Sequence, residues 1–112
     1  MKSPFDLTGK VIVIVGGAGL IGAELSYLSA AHGARVVIVE IDKKKAEKCA
    51  ANIMKRGGKA YAEECDTTDE ESVQKLVARI IGRFKKIDGL VNSAHFSTGK
   101  PGTSPKIGRA HV

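Results

Sequence analysis

Apolar and polar residues follow one another in short blocks along this chain. Four blocks are typical of β-strands: the first two are apolar throughout, the third is weaker and alternates, and the fourth is broken by Gly89. The segments between them repeat apolar residues every three or four positions, as amphipathic helices do. The strands are predicted at Val11–Val15, Val36–Val39, Lys59–Cys65 and Ile87–Asn92. Strands that alternate with helices predict an α/β fold with a parallel sheet and right-handed crossovers. The expected strand order is 3-2-1-4.

The first helix is predicted from Leu20 to His32, with Gly33 as its C-terminal glycine. Its large apolar residues Ile21, Leu25 and Leu28 are four and three positions apart. This spacing predicts that they form the face that packs on the sheet.

The second helix is predicted over Lys43–Arg56, with Asp42 as its N-cap and Gly57-Gly58 as its stop. Its expected buried face contains Ala46, Cys49, Ala50 and Ile53. The Lys43-Lys44-Lys45 run is interpreted as solvated helix surface.

The third helix has the clearest periodicity. Thr68 and Glu71 have the spacing of a capping box, which places the helix start near them. The expected apolar face is Val73, Leu76, Val77, Ile80, Ile81 and Phe84.

A glycine-rich turn connects the first strand to the first helix. Its glycines are Gly16, Gly17, Gly19 and Gly22. Glycine turns sharply at positive φ and leaves no Cβ between backbone N–H groups and a phosphate. A strand, a glycine turn and a helix N-terminus together predict a pyrophosphate site in a Rossmann-type doubly wound sheet. The N–H groups of Leu20 and Ile21 are expected to contribute to it.

Polar residues follow the other strands. Glu40 ends the second strand, and its carboxylate can accept hydrogen bonds from an adenosine ribose. It would repel a 2′-phosphate, which favours NAD over NADP. Asp66 ends the third strand, within reach of an adenine amino group, and Asn92 closes the fourth strand beside the switch point. Each of these residues could instead serve only a turn or a strand end.

Composition narrows the function classes. The chain has 112 residues, enough for one small domain; 43% are hydrophobic but only 4% aromatic, and the net charge is +6. Because the basic residues are dispersed and no aromatic residues lie among them, nucleic acid is not an expected partner. The N-terminal residues have no apolar signal core and no segment is long enough to span a membrane. Cys49 and Cys65 form no metal motif, so a soluble, cytoplasmic protein with reduced thiols and no metal site is expected.

These motifs together resemble the short-chain dehydrogenase/reductase family, from about Phe5 to Ala94. The segment from Val15 to Gly22 resembles that family's cofactor loop, and Glu40 falls on its ribose-binding acid. Asp66 and Thr67 fall on its adenine-contacting segment. Asn92, Ser93 and Ala94, followed by His95, fall on its Asn-Asn-Ala-Gly motif. The resemblance implies an NAD(P)-dependent oxidoreductase that transfers hydride between nicotinamide and a carbonyl or secondary alcohol, in a parent protein that forms homo-oligomers.

The sequence departs from the family pattern in three places. Val15 replaces the usual threonine, which removes a hydroxyl that would tie the loop to its neighbours, and His95 replaces a glycine. The family's catalytic serine and Tyr-x-x-x-Lys motif are absent, because neither Tyr27 nor Tyr61 has a lysine four residues later. We therefore predict no catalytic residue in this chain and no activity for it alone.

The remaining expectations concern the extent and class of the protein. Residues 1–95 are predicted to form the cofactor-binding half-domain and 96–112 an irregular tail. Codons for residues 106–112 can match the start of a common sequencing-library adapter, which suggests the hypothesis of an assembly artefact.

Two alternatives to the dehydrogenase remain open at this point. One is a nucleotide-sugar epimerase or dehydratase of the same family, and the other is a non-catalytic nucleotide-binding module.

Overall fold

The chain folds into four β-strands alternating with three α-helices in the computed structural model, which describes residues 5–94. The elements are β1 Val11–Val15, α1 Leu20–Ala31, β2 Arg35–Glu40, α2 Lys43–Lys55, β3 Lys59–Glu64, α3 Glu70–Phe84 and β4 Gly89–Asn92. The strands form one sheet of order β3-β2-β1-β4, and all three pairings are parallel. The predicted fold class and strand order are confirmed.

The register of the sheet brings the carboxyl ends of the strands to one edge. Val15 is paired with Val39 on one side and with Asn92 on the other. The ladder continues one step further, because Gly16 N donates to Val39 O at 2.8 Å and Ser93 N donates to Val15 O at 2.9 Å. The segments that follow β1, β2, β3 and β4 therefore lie side by side.

The two faces of the sheet carry separate apolar cores. The face toward α3 is valine-rich in β1 and β2 and packs on the helix; its buried members are Val11, Val13, Val37, Val39, Cys65, Leu76, Ile80 and Phe84. The opposite face packs on α1 and α2, and its buried members are Ile14, Ala30, Ala34, Val36, Ile38, Ala46, Cys49, Ala50, Ile53 and Ala60. Full burial of each valine or isoleucine contributes roughly 1.5–3 kcal/mol, so the two cores together hold the helices on the sheet.

The apolar face predicted for α1 is wrong for two of its three residues, since of these only Leu25 packs against the core. Ile21 and Leu28 are 68% and 59% exposed, whereas Gly22, Ser26 and Ala30 are buried. The reason is distance, because α1 lies so close to the β1 turn that small residues alone fit between them. Leu20, Ile21 and Leu28 are displaced to the outer side of the helix, while Leu25 and Tyr27 lie at the margin of the core.

The second helix matches its prediction, and the third matches in part. All four residues expected to be buried on α2 are buried, and Asp42 caps that helix by accepting from Lys44 N at 3.0 Å. On α3, Leu76, Ile80 and Phe84 are buried, while the flanking Val77 and Ile81 are 44% and 42% exposed.

The capping box predicted for α3 is also wrong. Asp69 is the N-cap, and its carboxylate accepts from Glu71 N at 3.1 Å. The Thr68 hydroxyl instead donates to Asp66 Oδ1 at 2.6 Å, so it is already engaged in the preceding turn.

Three further predictions concern thiols, membranes and the tail. Cys49 and Cys65 are free and buried. Within residues 5–94, no helix is long and apolar enough to cross a membrane. His95 and the predicted tail, including residues 106–112, lie outside the described residues.

Candidate functional site

A cleft of about 270 Å³ opens at the carboxyl edge of the sheet. It lies where the chain order reverses between β1 and β4, the position at which doubly wound sheets bind ligands. The residues that line it are Val15, Gly16, Gly19, Val39, Glu40, Ile41, Cys65, Asp66, Thr67, Ser93 and Ala94. Seven of the twelve residues proposed from the sequence are thus brought together around one space.

The glycines of the turn are required by close backbone approaches. Gly16 has φ +77°, and a Cβ there would lie 2.7 Å from Ala94 N. A Cβ on Gly17 would lie 2.8 Å from Ile14 O, and one on Gly22 would lie only 1.9 Å from Gly16 O. Gly17 and Gly22 are buried behind the cleft instead of lining it. They let the strand, the turn and the helix pack together.

The N-terminus of α1 offers free backbone donors at the cleft. Gly19 is the N-cap and supplies no side-chain hydrogen bond, and the first turn contains no acidic residue. The first turn begins with Leu20, Ile21 and Gly22, whose N–H groups have no partner within the helix. The helix dipole adds a partial positive charge at the same end. This end of the helix is therefore suited to an anion such as a pyrophosphate.

Glu40 is held against the glycine turn. Its Oε2 accepts a hydrogen bond from Ala18 N at 2.8 Å, and its side chain is half-buried. The carboxylate retains further lone pairs that can accept from a hydroxyl. Lys43, Lys44 and Lys45 are exposed in the first turn of α2, as expected for solvated residues.

The far side of the cleft combines an apolar wall with an acidic turn. Val39, Ile41 and Cys65 provide apolar surface. Asp66 Oδ1 accepts from both Thr68 N and the Thr68 hydroxyl. The hydroxyl, followed by the backbone N–H, holds the pKa of Asp66 below its usual value. The carboxylate therefore stays ionised and can accept a hydrogen bond from an amino group.

The end of β4 forms the third side. Asn92 is exposed and does not line the cleft; its Oδ1 accepts from Ala94 N at 3.2 Å and so shapes the backbone that does. The Ser93 hydroxyl donates to Val15 O at 2.8 Å and lies 3.2 Å from Gly16 O. Leu20 and Ile21 direct their side chains outward, with Leu20 89% exposed.

Sequence reasoning did not assign Ser26 to this site, nor four residues that line the cleft, namely Val15, Val39, Ile41 and Cys65. Ser26 is fully buried in α1, and its hydroxyl lies 3.0 Å from Gly17 O and 2.8 Å from Gly22 O. Its signal was present in the spacing of four between Gly22, Ser26 and Ala30, a stripe of small residues along one helix face. Ile41, which extends the apolar wall, had no signal in the sequence because it is exposed and follows the strand.

Comparison with known proteins identifies the family. The family model for short chain dehydrogenases matches residues 10–106. The chain belongs to the short-chain dehydrogenase family.

Curated relatives of this short-chain dehydrogenase chain are longer than it is. A short chain dehydrogenase/reductase, dpchG, of Colletotrichum higginsianum is 39% identical over 83% of this chain and 35% of its own length. The 7alpha-hydroxysteroid dehydrogenase of Escherichia coli is 35% identical over 88% of this chain and 39% of its own length. The chain thus spans little more than a third of these relatives. Their dehydrogenase activities favour the oxidoreductase prediction over the nucleotide-sugar alternative.

Solved structures show the same arrangement. The citronellol catabolism dehydrogenase of Pseudomonas aeruginosa has a TM-score of 0.81 and 38% identity, over 85% of this chain and 40% of that one. An NAD⁺-bound xylitol dehydrogenase has a TM-score of 0.77 and 31% identity, over 80% of this chain and 35% of that one. A metagenomic short-chain oxidoreductase in complex with NADP has a TM-score of 0.79 and 28% identity, over 81% of this chain and 41% of that one. The family's cofactor is therefore a nicotinamide dinucleotide.

The residues of this short-chain dehydrogenase chain fit such a cofactor. A side chain at Gly16 would collide with the backbone of Ala94, and the uncapped end of α1 can bind the pyrophosphate. The two tyrosines lie away from the cleft. Tyr27 is on α1 with the Arg56 guanidinium 4.6 Å from its ring, and Tyr61 is on β3 with its ring 4.9 Å from that of Phe84. Neither is placed to exchange a proton with a substrate in the cleft.

Proposed function

We propose that this chain binds NAD(H) as the cofactor-binding part of a short-chain dehydrogenase. The observation that carries the proposal is the convergence of Gly16, Gly19, Glu40 and Asp66 on one cleft at the switch point. When bound, the nicotinamide accepts or donates a hydride at a carbonyl or secondary alcohol carbon. We assign no substrate-binding group and no proton-exchanging group to residues 5–94.

The roles of the chain's own residues follow from their positions. The N–H groups at the start of α1 bind the pyrophosphate, and Glu40 accepts from the adenosine ribose. Asp66 accepts from the adenine amino group while Val39 and Ile41 cover the ring. Asn92 shapes the backbone of Ser93 and Ala94 beside the nicotinamide ribose. The buried, free Cys49 and Cys65 support a reducing compartment such as the cytoplasm.

Glu40 supports NAD over NADP. Its carboxylate lies beside the glycine turn, where the adenosine ribose is expected. A 2′-phosphate there would place two negative groups close together, at an energetic cost. Removing one such repulsion should raise the affinity for NADPH about tenfold, which corresponds to ~1.4 kcal/mol.

Titration of the full chain with NADH and NADPH, followed by cofactor fluorescence, tests the proposal. We expect saturable NADH binding and NADPH binding that is weaker by about tenfold. The variant Glu40→Gln keeps an oxygen that can accept from Ala18 N but removes the charge. It should therefore bind NADPH about as well as NADH, with little loss of NADH affinity.

The matched control is Glu64→Gln, because Glu64 is paired with Glu40 in the sheet but does not line the cleft. This variant should leave the preference for NADH over NADPH unchanged. Equal affinities of the unsubstituted chain for the two cofactors would refute the NAD assignment. A folded chain that binds neither cofactor would refute the function itself.

A further inference from the structure

The carbonyl oxygens of the glycine turn are bound by two serine hydroxyls from outside the turn. The Ser93 hydroxyl donates to Val15 O at 2.8 Å and lies 3.2 Å from Gly16 O. The Ser26 hydroxyl lies between Gly22 O, at 2.8 Å, and Gly17 O, at 3.0 Å. A carbonyl oxygen carries partial negative charge, so one directed at a pyrophosphate would repel it. A carbonyl that accepts from an internal hydroxyl cannot turn toward the anion without breaking that bond.

Ser93 connects the turn to the end of β4. Val15 O accepts from both Ser93 N, at 2.9 Å, and the Ser93 hydroxyl, at 2.8 Å. Gly16 also contacts Ala94, the residue that follows Ser93, since a Cβ at Gly16 would lie 2.8 Å from Ala94 Cα. The side chain of Val15 is apolar and contributes no hydrogen bond to this junction. Among the described side chains, Ser93 is therefore the polar link between β4 and the turn.

The same link extends to the donors of the turn. Gly16 O, which lies 3.2 Å from the Ser93 hydroxyl, also accepts from Gly19 N at 3.0 Å. Gly19 is the N-cap of α1. Fixing Gly16 O thus fixes the residue from which the helix starts, and with it the direction of the first free N–H groups.

We propose that Ser93 is a positioning residue for the pyrophosphate loop: its hydroxyl donates to Val15 O, lies against Gly16 O, and so keeps the end of β1 and the start of the turn in place beside β4. The inference rests on the proposed cofactor site. It assigns to Ser93 an effect on phosphate binding that it does not have on adenosine binding, because the adenosine contacts come from Glu40 and Asp66.

Binding of ADP and of adenosine to the full chain separates these effects. Both ligands present the same base and ribose, and ADP alone presents the diphosphate. In Ser93→Ala, the affinity for ADP should fall about fivefold, the range for one lost hydrogen bond, while that for adenosine changes less than about twofold. Equal losses for the two ligands, or no loss for either, would overturn the proposal.

The matched control is Ser29→Ala, which removes the same hydroxyl from a half-buried serine of α1 that makes no hydrogen bond to the turn. It should leave both affinities unchanged. A loss of ADP affinity in this control equal to that in Ser93→Ala would also contradict the proposal.

Amide hydrogen exchange without ligand provides a test that is independent of cofactor binding. In Ser93→Ala, exchange at Gly19 N–H should accelerate by about fivefold, while exchange at the core residue Val37 stays unchanged. Equal acceleration at both positions would indicate a global loss of stability and refute a positioning role. If the unsubstituted chain binds neither ADP nor adenosine, the proposed function fails, and the exchange at Gly19 still decides the role of Ser93.

Discussion

Replacement of Gly22 by alanine would place a methyl group where the backbone leaves no room. The added Cβ would lie 1.9 Å from Gly16 O and 2.7 Å from the Ser93 hydroxyl oxygen. Carbon and oxygen atoms without a covalent bond approach to about 3.3 Å. The start of α1 must therefore move away from the turn by more than an ångström, and the obstructing atom is backbone, which cannot rotate away.

The expected cost follows from two opposing terms. Overpacking a well-packed site costs about 1–3 kcal/mol, and the upper end applies because backbone must shift. Alanine recovers about 1 kcal/mol of helix propensity relative to glycine. The net loss of unfolding free energy is then about 2 kcal/mol, and nucleotide affinity should fall with it because the helix N-terminus is displaced.

Gly82 provides the matched comparison within the same chain. It lies in α3, and a Cβ there would meet no atom within 4 Å. Gly82→Ala should therefore stabilise the protein by about 0.5–1 kcal/mol. The same substitution is thus expected to have opposite signs at the two positions.

Urea unfolding followed by circular dichroism measures both variants. With a slope near 1 kcal/mol per molar urea, the midpoint of Gly22→Ala should fall by about 2 M, and that of Gly82→Ala should rise. If the free energies of unfolding of the two variants differ by less than about 1 kcal/mol, the close approach of α1 to the turn does not govern stability, and the reasoning is refuted.

Two further predictions concern the edge of the sheet where the strands begin, opposite the cleft. Lys85 has φ 70° after α3, so Lys85→Gly should raise the free energy of unfolding by about 1 kcal/mol; an unchanged urea midpoint would contradict this. Asp88 accepts from Val11 N at 2.8 Å and pairs with Lys86 at 3.0 Å, and these contacts, the first above all, lower its pKa. The resulting stability is present above the unfolded pKa of about 3.9 and is lost as pH falls through the folded pKa. Asp88→Asn should therefore be less stable than the unsubstituted chain at pH 7, with a difference that shrinks below about pH 4; a difference constant between pH 3 and 7 would argue against it.

The contrast between α1 and α2 explains which helix faces were predictable. The helix α2 has charged residues on its outer side, so its periodicity marks the buried face. The sequence of α1, LIGAELSYLSAA, contains few charged residues, and periodicity cannot distinguish its faces. Side-chain size decides there, and size matters only because the helix lies so close to the turn.

The site, too, has a part that the sequence predicted and a part that it did not. Glycines and acids at strand ends were predictable, because parallel strands bring their carboxyl ends to one edge whatever the details of packing. The links from Ser26 and Ser93 to the turn depend on ångström-scale distances between separate elements. The spacing of small residues along α1 indicates that Ser26 lies on the buried face, but no spacing within one segment indicates which carbonyl oxygen either hydroxyl reaches.

The valine and isoleucine faces of β2 have a consequence for register. A slip of one residue would exchange Val37 and Val39 with Val36 and Ile38, and every exchanged position would remain apolar. Polarity therefore does little to exclude the slipped pairing along this run. The bond from Ala18 N to Glu40 disfavours it, by about 1.5–3 kcal/mol for a hydrogen bond to a charged group, since a slip would present Val39 or Ile41 to that N–H instead. The acid proposed for cofactor recognition thus also favours the observed alignment of the central strands, and a deletion within β2 would preserve a hydrophobic sheet while removing the site.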